Sequence, residues 1–108
     1  MRELLIEKFE QPTEIDSNGT VVWRNEFGEP HRDKDMPAVI CANGDKWWYK
    51  NGKIQRDGDK PAVIFADGER HWYKNGKIHR NGDKPAVICA NGDKQWWKNG
   101  ECIRSEYV

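Results

Sequence analysis

Apolar residues along this chain gather in short clusters separated by Gly-containing turns. No stretch keeps the 3.6-residue period of an amphipathic helix for more than a turn or two. The clearest cluster is PAVICA at 37–42. It is followed across Asn43-Gly44 by DKWWYK at 45–50, and across Asn51-Gly52 by a shorter stretch of the KIHR type. Asn-Gly or Asp-Gly between β-prone runs is a strong hairpin cue, because both central residues of a type I′ turn need positive φ. These dipeptides fall at 43/44, 67/68 and 91/92, and again at 51/52, 75/76 and 99/100. Pro opens each first strand, where only one backbone donor is lost. The pattern predicts an all-β chain, an elongated, twisted antiparallel meander of about eight strands built from stacked β-hairpins.

The clusters repeat with a period of 24 residues: 37–60, 61–84 and 85–108 align without gaps, and a degenerate 25-residue copy occupies 12–36. The alignment places Trp23, Trp48, Trp72 and Trp96 in one column, Ile15, Ile40, Ile64 and Ile88 in another, and Arg32, Arg56, Arg80 and Arg104 in a third. One repeat domain, 1–108, follows. Residues 1–11, with Leu4, Leu5, Ile6 and Phe9, are expected to cap the first copy, as stacked repeats require.

A two-residue turn at Asn43-Gly44 would pair Val39 with Trp48, Ile40 with Trp47 and Ala38 with Tyr49. One face would then carry Val39, Cys41 and Trp48, and the other Ala38, Ile40, Trp47 and Tyr49. Both faces hold apolar residues, so either both are covered or one aromatic face is open for binding.

Composition changes the picture in one respect. Leu, Ile, Val and Phe number 19 of 108, so the six Trp and three Tyr must supply much of the core. Eighteen bases balance eighteen acids, yet 1–36 carry a net −4, 37–84 a net +4 and 85–108 zero. The neutral total hides a basic middle, lined by Lys46, Lys50, Lys53, Arg70, Lys74, Lys77 and Lys84, that suits an acidic partner. Three widely spaced Cys form no metal or redox motif and fit a reducing interior, and no apolar stretch is long enough for membrane insertion. A cytoplasmic location is expected.

The pattern W-Y-x-N-G-K-x-H-R-x-G-D-x-P-A-V-I at 72–88 resembles the tandem MORN-like repeats of phage and giant-virus proteins, and the resemblance covers nearly the whole chain. It implies a single-layered sheet of stacked hairpins that works as a protein-interaction scaffold, in a host cytoplasm if the chain is phage-encoded. In place of the Y-x-G-x-W core of MORN repeats, the aromatics here are adjacent, as at Trp72-Tyr73.

No nucleotide-binding, nucleophile-elbow or zinc-protease motif occurs, so no catalytic residue, metal ligand or cofactor is assigned and the chain is read as a non-enzyme. Cys41 and Cys89 read as small hydrophobes. The column holding His31, Gln55, His79 and Ile103 mixes chemistries and argues against a shared ligand role, and the column of His71, Trp47 and Gln95 reads as exposed. The Arg column reads first as a ladder tying down loop carboxylates or carbonyls; Asp35, Asp59 and Asp83 stand three residues after Arg32, Arg56 and Arg80. Copies differ at aromatic positions, and aromatics and Arg are the usual interface anchors. The candidate contact residues are therefore Trp47, Tyr49, His71, Tyr73, Trp97, Arg56 and Arg80, with Lys50 and Lys74 beside them. Two functions are in view: binding of a protein partner with an acidic surface, as an inhibitor or adaptor, or capture of nucleotides or single-stranded nucleic acid by the Arg row and Trp faces. An unpaired end strand can also recruit a second copy into a homodimer.

Overall fold

A computed structural model describes residues 11–108, so the cap expected at 1–11 lies outside the described residues apart from Gln11. The described chain is all β. Its thirteen strands are short: β1 (Glu14–Ile15), β2 (Val21–Val22), β3 (Val39–Ile40), β4 (Lys46–Trp47), β5 (Tyr49–Lys50), β6 (Lys53–Ile54), β7 (Val63–Ile64), β8 (Arg70–His71), β9 (Tyr73–Lys74), β10 (Lys77–Ile78), β11 (Val87–Ile88), β12 (Lys94–Lys98) and β13 (Glu101–Glu106). Nine of them form an antiparallel meander in the order β1-β2-β3-β4-β7-β8-β11-β12-β13, which is not closed into a barrel. Two side hairpins, β5–β6 and β9–β10, leave the sheet at regular intervals. The extents, 52 × 24 × 24 Å, are those of an elongated molecule.

The two turn families differ. At Asn51-Gly52 both residues have positive φ (49° and 82°), and Tyr49 pairs with Ile54 and Lys50 with Lys53, the geometry of a two-residue type I′ hairpin. At Asn43-Gly44 the expected turn is absent. Only the glycine has positive φ, 102°; Gly44 N–H donates to the Cys41 carbonyl at 2.9 Å and Cys41 N–H to the Asp45 carbonyl at 2.8 Å. This is a three-residue loop closed by a left-handed glycine.

The extra loop residue moves the register by one. Val39 pairs with Trp47 and Ile40 with Lys46, so the expected pairs Val39–Trp48, Ile40–Trp47 and Ala38–Tyr49 are not formed. A one-residue slip exchanges the faces of a strand. One face, here the Val face, carries Val22, Val39, Trp47, Val63, His71, Val87 and Gln95 in a continuous cross-strand row. The opposite Ile face carries Val21, Ile40, Lys46, Ile64, Arg70, Ile88 and Lys94.

Trp48 and Trp72 sit where the chain crosses from the sheet into a side hairpin. Trp48 N–H donates to the Ala62 carbonyl of the main sheet, and the Trp48 carbonyl accepts from Gln55 N–H of the side hairpin. Trp72 bridges Ala86 and His79 in the same way. The core is accordingly thin and two-sided: Val22, Val63 and Val87 are buried on one face, and Ala38, Ala62 and Ala86 with Trp23, Trp48, Trp72 and Trp96 on the other. The three alanines are 0 % exposed.

Stacking also uses a column that looked heterogeneous. His31 Nδ1 accepts the N–H of Asn51 at 2.9 Å, Gln55 Oε1 that of Asn75 at 3.4 Å, and His79 Nδ1 that of Asn99 at 3.1 Å. His and Gln share one task, to accept a turn N–H from the next copy. Ile103, in the fourth copy, carries no acceptor and is exposed. There β13 lies along the whole of β12, and Val108 N–H donates to Asp93 Oδ1 at 2.9 Å.

Candidate interaction surface

The nine candidate residues divide between the two faces. Trp47, His71 and Gln95 stand in the Val-face row, and none is exposed to the extent expected for its column; all are half-buried. Phe65 joins them edge-on, 6.0 Å from the Trp47 ring and 5.0 Å from the His71 ring. Burial pushes the Tyr49 hydroxyl above its ordinary pKa, with Tyr73 and the Cys41 thiol near enough to add to the effect. Trp97 donates its indole N–H to Gln95 Oε1 at 2.9 Å. Trp47, Phe65 and His71 thus form one half-buried aromatic band, whereas Tyr49 and Tyr73 line grooves that the stacked Arg56 and Arg80 also line. The rim of the band is acidic: Asp45 lies opposite Cys41, Glu69 opposite Phe65 and Asp93 opposite Cys89. Burial and these carboxylates raise the pKa of the Cys41 and Cys89 thiols, which keeps them protonated and unreactive.

Arg56 and Arg80 belong to the other face and are fully occupied. The Arg80 guanidinium lies 3.9 Å over the Trp72 ring, grips both oxygens of Asp59 at 2.8 and 3.1 Å, and donates to the Pro85 carbonyl at 2.9 Å. Arg56 repeats this with Trp48, Asp35 and Pro61. Arg32 stacks on Trp23 at 3.6 Å and Arg104 on Trp96 at 3.7 Å. The carboxylate belongs to the preceding copy, 21 residues upstream, not to the loop three residues downstream. Each Arg therefore joins two copies. Lys60 and Lys84 complete the clamps on Asp35 and Asp59, and the paired cations hold both carboxyls far below the usual carboxylate range.

The remaining bases on the Ile face are uncommitted. Lys46, Arg70 and Lys94 are exposed and make no ion pair among the described residues; Arg70 also lies 5.9 Å from the Trp72 ring. They alternate with half-buried Ile40, Ile64 and Ile88 on successive strands. With strands about 4.8 Å apart, the bases recur every ~10 Å. The sequence carries the cause in plain sight: Asp45-Lys46, Glu69-Arg70 and Asp93-Lys94 are acid–base neighbours in extended chain, so acids go to the Val face and bases to the Ile face. Lys94 escaped the basic surface expected from the central copies because its own copy is neutral.

Beside this face a groove of about 540 Å³ opens between the loops at 56–60 and 80–84, and a smaller one of about 260 Å³ lies one copy earlier. Five bases and two acids line the larger groove. Lys50, by contrast, is tied to Asp57. Lys74 lines the larger groove, is exposed and makes no ion pair among the described residues. No group of three or more His, Cys, Asp or Glu among the described residues is placed to hold a metal ion. Among the same residues no helix is long and apolar enough to cross a membrane.

No protein-family model, curated protein or solved structure matches the chain.

Proposed function

We propose that the chain is a non-catalytic interaction module whose Ile face receives an acidic surface of a protein partner. The observation that carries this reading is the row of uncommitted bases, Lys46, Arg70 and Lys94, alternating with Ile40, Ile64 and Ile88 on a sheet face. Complementary charge supplies steering and partner choice, and the intervening isoleucines supply apolar area. The MORN-like sequence pattern agrees with a scaffold of this kind and, by analogy with the viral proteins that carry it, with an adaptor or inhibitor acting in a host cytoplasm. Capture of nucleotides or single strands would need open aromatic faces. Each Trp of the constant column already has a guanidinium over its ring, which favours the protein partner. A homodimer through the end strand is also less favoured, since Glu101, Arg104 and Glu106 charge the six residues of β13.

Partner capture from a native cell extract tests the proposal. The triple variant Lys46→Glu, Arg70→Glu, Lys94→Glu is expected to lose the partner with its melting temperature unchanged. His71→Ala, on the Val face, is expected to retain it. The reverse pattern would move the contact to the aromatic band.

A further inference from the structure

Asn-Gly occurs seven times in this chain, at 18/19, 43/44, 51/52, 75/76, 81/82, 91/92 and 99/100. Six of the seven are turns in which the N–H of the glycine, Gly19, Gly44, Gly52, Gly76, Gly92 or Gly100, donates to a backbone carbonyl at 2.9–3.2 Å. The seventh is different. Gly82 N–H donates to no acceptor among the described residues. Asn81 and Gly82 are both exposed, and no atom lies within 4 Å of where a side chain on Gly82 would begin.

The side-chain amide carbon of an asparagine is an electrophile for the backbone nitrogen of the next residue, and a following glycine leaves that approach unobstructed. A nitrogen whose N–H is held in a hydrogen bond must first be released. At Asn81 the electrophile is also activated. His79 Nδ1 accepts the Asn99 N–H at 3.1 Å, which puts the ring proton on Nε2, and Nε2–H donates to Asn81 Oδ1 at 2.8 Å. That donor stabilises the negative charge that develops on Oδ1 as the amide carbon is attacked.

The preceding copy shows what the product would meet. Asp57 stands where Asn81 does, 24 residues earlier, and Gly58, Lys50 and Gln55 match Gly82, Lys74 and His79. Asp57 accepts from Lys50 through Oδ2 and from Gln55 through Oδ1. With an amide at position 81 the matching ammonium, on Lys74, makes no ion pair among the described residues and lines the groove of about 540 Å³.

We infer that Asn81-Gly82 is a site of spontaneous deamidation, whose product closes this groove on itself. Gly82 N bonds to Asn81 Cγ, the Cγ–Nδ2 bond breaks, and ammonia leaves with the proton of the Gly82 N–H. Water then opens the five-membered imide. Opening at Cγ gives an aspartate at position 81, and opening at the backbone carbonyl of the same residue gives an isoaspartate. The aspartate makes the third copy's loop the equal of the second's: Lys74 takes the new carboxylate as Lys50 takes Asp57, and the groove loses its free cation. The extent of conversion rises with the age of the chain, and the chemistry is independent of the partner that the Ile face receives.

The test incubates the full chain in mildly alkaline buffer, with and without urea, and follows every Asn-Gly by peptide mapping and mass spectrometry. In the native chain Asn81 is expected to convert about tenfold faster than each turn site, the scale of releasing one backbone hydrogen bond first. In urea, where every glycine N–H is free, the seven should react at similar rates. Equal rates at all seven sites in the native chain, or no conversion at Asn81, would overturn the site. A second arm follows the side-chain ammonium resonances of Lys50 and Lys74 by NMR. Asn81→Asp is expected to move Lys74 to the shift that Lys50 shows, and Asp57→Asn to move Lys50 to that of Lys74. Lys74 resonances unmoved by Asn81→Asp would overturn the closing of the groove.

Discussion

The Arg80 guanidinium lies 3.9 Å over the ring of Trp72, and the same guanidinium holds Asp59 of the preceding copy through two hydrogen bonds. Two constant columns are thereby one device. The Trp is covered from water by a flat cation, and the cation is fixed by a carboxylate that belongs to the neighbour, so burial within a copy and adhesion between copies depend on one side chain.

Replacing Arg80 with Lys keeps the charge but loses the planar stack, the paired contacts to Asp59 and the donor to Pro85. We expect Arg80→Lys to destabilise the fold by about 1–3 kcal/mol, read by urea denaturation. Loss of no more than a few tenths would mean that the stack is surface decoration.

The clamps also set the response to acid. Asp35 and Asp59 have folded pKa values depressed by Arg56, Lys60, Arg80 and Lys84, so their contribution is complete above the ordinary carboxylate pKa near 4 and is lost as pH falls through the lower folded values. Stability measured by denaturation should therefore drop progressively below about pH 4. The double variant Asp35→Asn, Asp59→Asn should be less stable at neutral pH and flatter across the acid range. An equally steep acid dependence in that variant would assign the effect to other carboxylates.

The acceptor column predicts an asymmetric tolerance. His79→Gln reproduces what Gln55 does one copy earlier and should cost little, whereas His79→Leu strands the Asn99 N–H and should cost about 1 kcal/mol. At Ile103, which is exposed, substitution by Gln should be near neutral. Thermal melting of the three variants checks the set.

Lys34 holds a left-handed conformation, φ 66°, at the position that Gly58 and Gly82 fill in the later copies. A non-glycine residue pays roughly 1–2 kcal/mol there, partly offset by the greater freedom of glycine in the unfolded chain. Lys34→Gly should raise stability by up to about 1 kcal/mol.

Much of the fold was legible because it is local. Asn51-Gly52 makes a two-residue hairpin as its dipeptide says, and the absence of helical period is matched by a described chain of strands and turns. Asn43-Gly44 misled because the same dipeptide serves two loop lengths: the glycine at 102° closes a three-residue loop, and one residue is enough to exchange faces. That slip puts Trp47 and His71 on the face opposite Arg56 and Arg80, although the residue types alone group the four in one surface. The His31, Gln55, His79 column carries a usable signal, hydrogen-bond acceptors in the first three copies and an exposed Ile103 in the fourth. The pairing of Arg with Trp rests on tertiary distance, which columns in a repeat do not encode.

The faces are labelled by their own side chains, Ile40, Ile64 and Ile88 on one and Val39, Val63 and Val87 on the other. Methyl NMR of selectively labelled protein, titrated with the captured partner, therefore tests the central claim directly. Shifts are expected at the three isoleucine methyls, abolished by the Lys46→Glu, Arg70→Glu, Lys94→Glu variant, with the three valines unmoved. Shifts at the valine methyls, with the isoleucines silent, would contradict it.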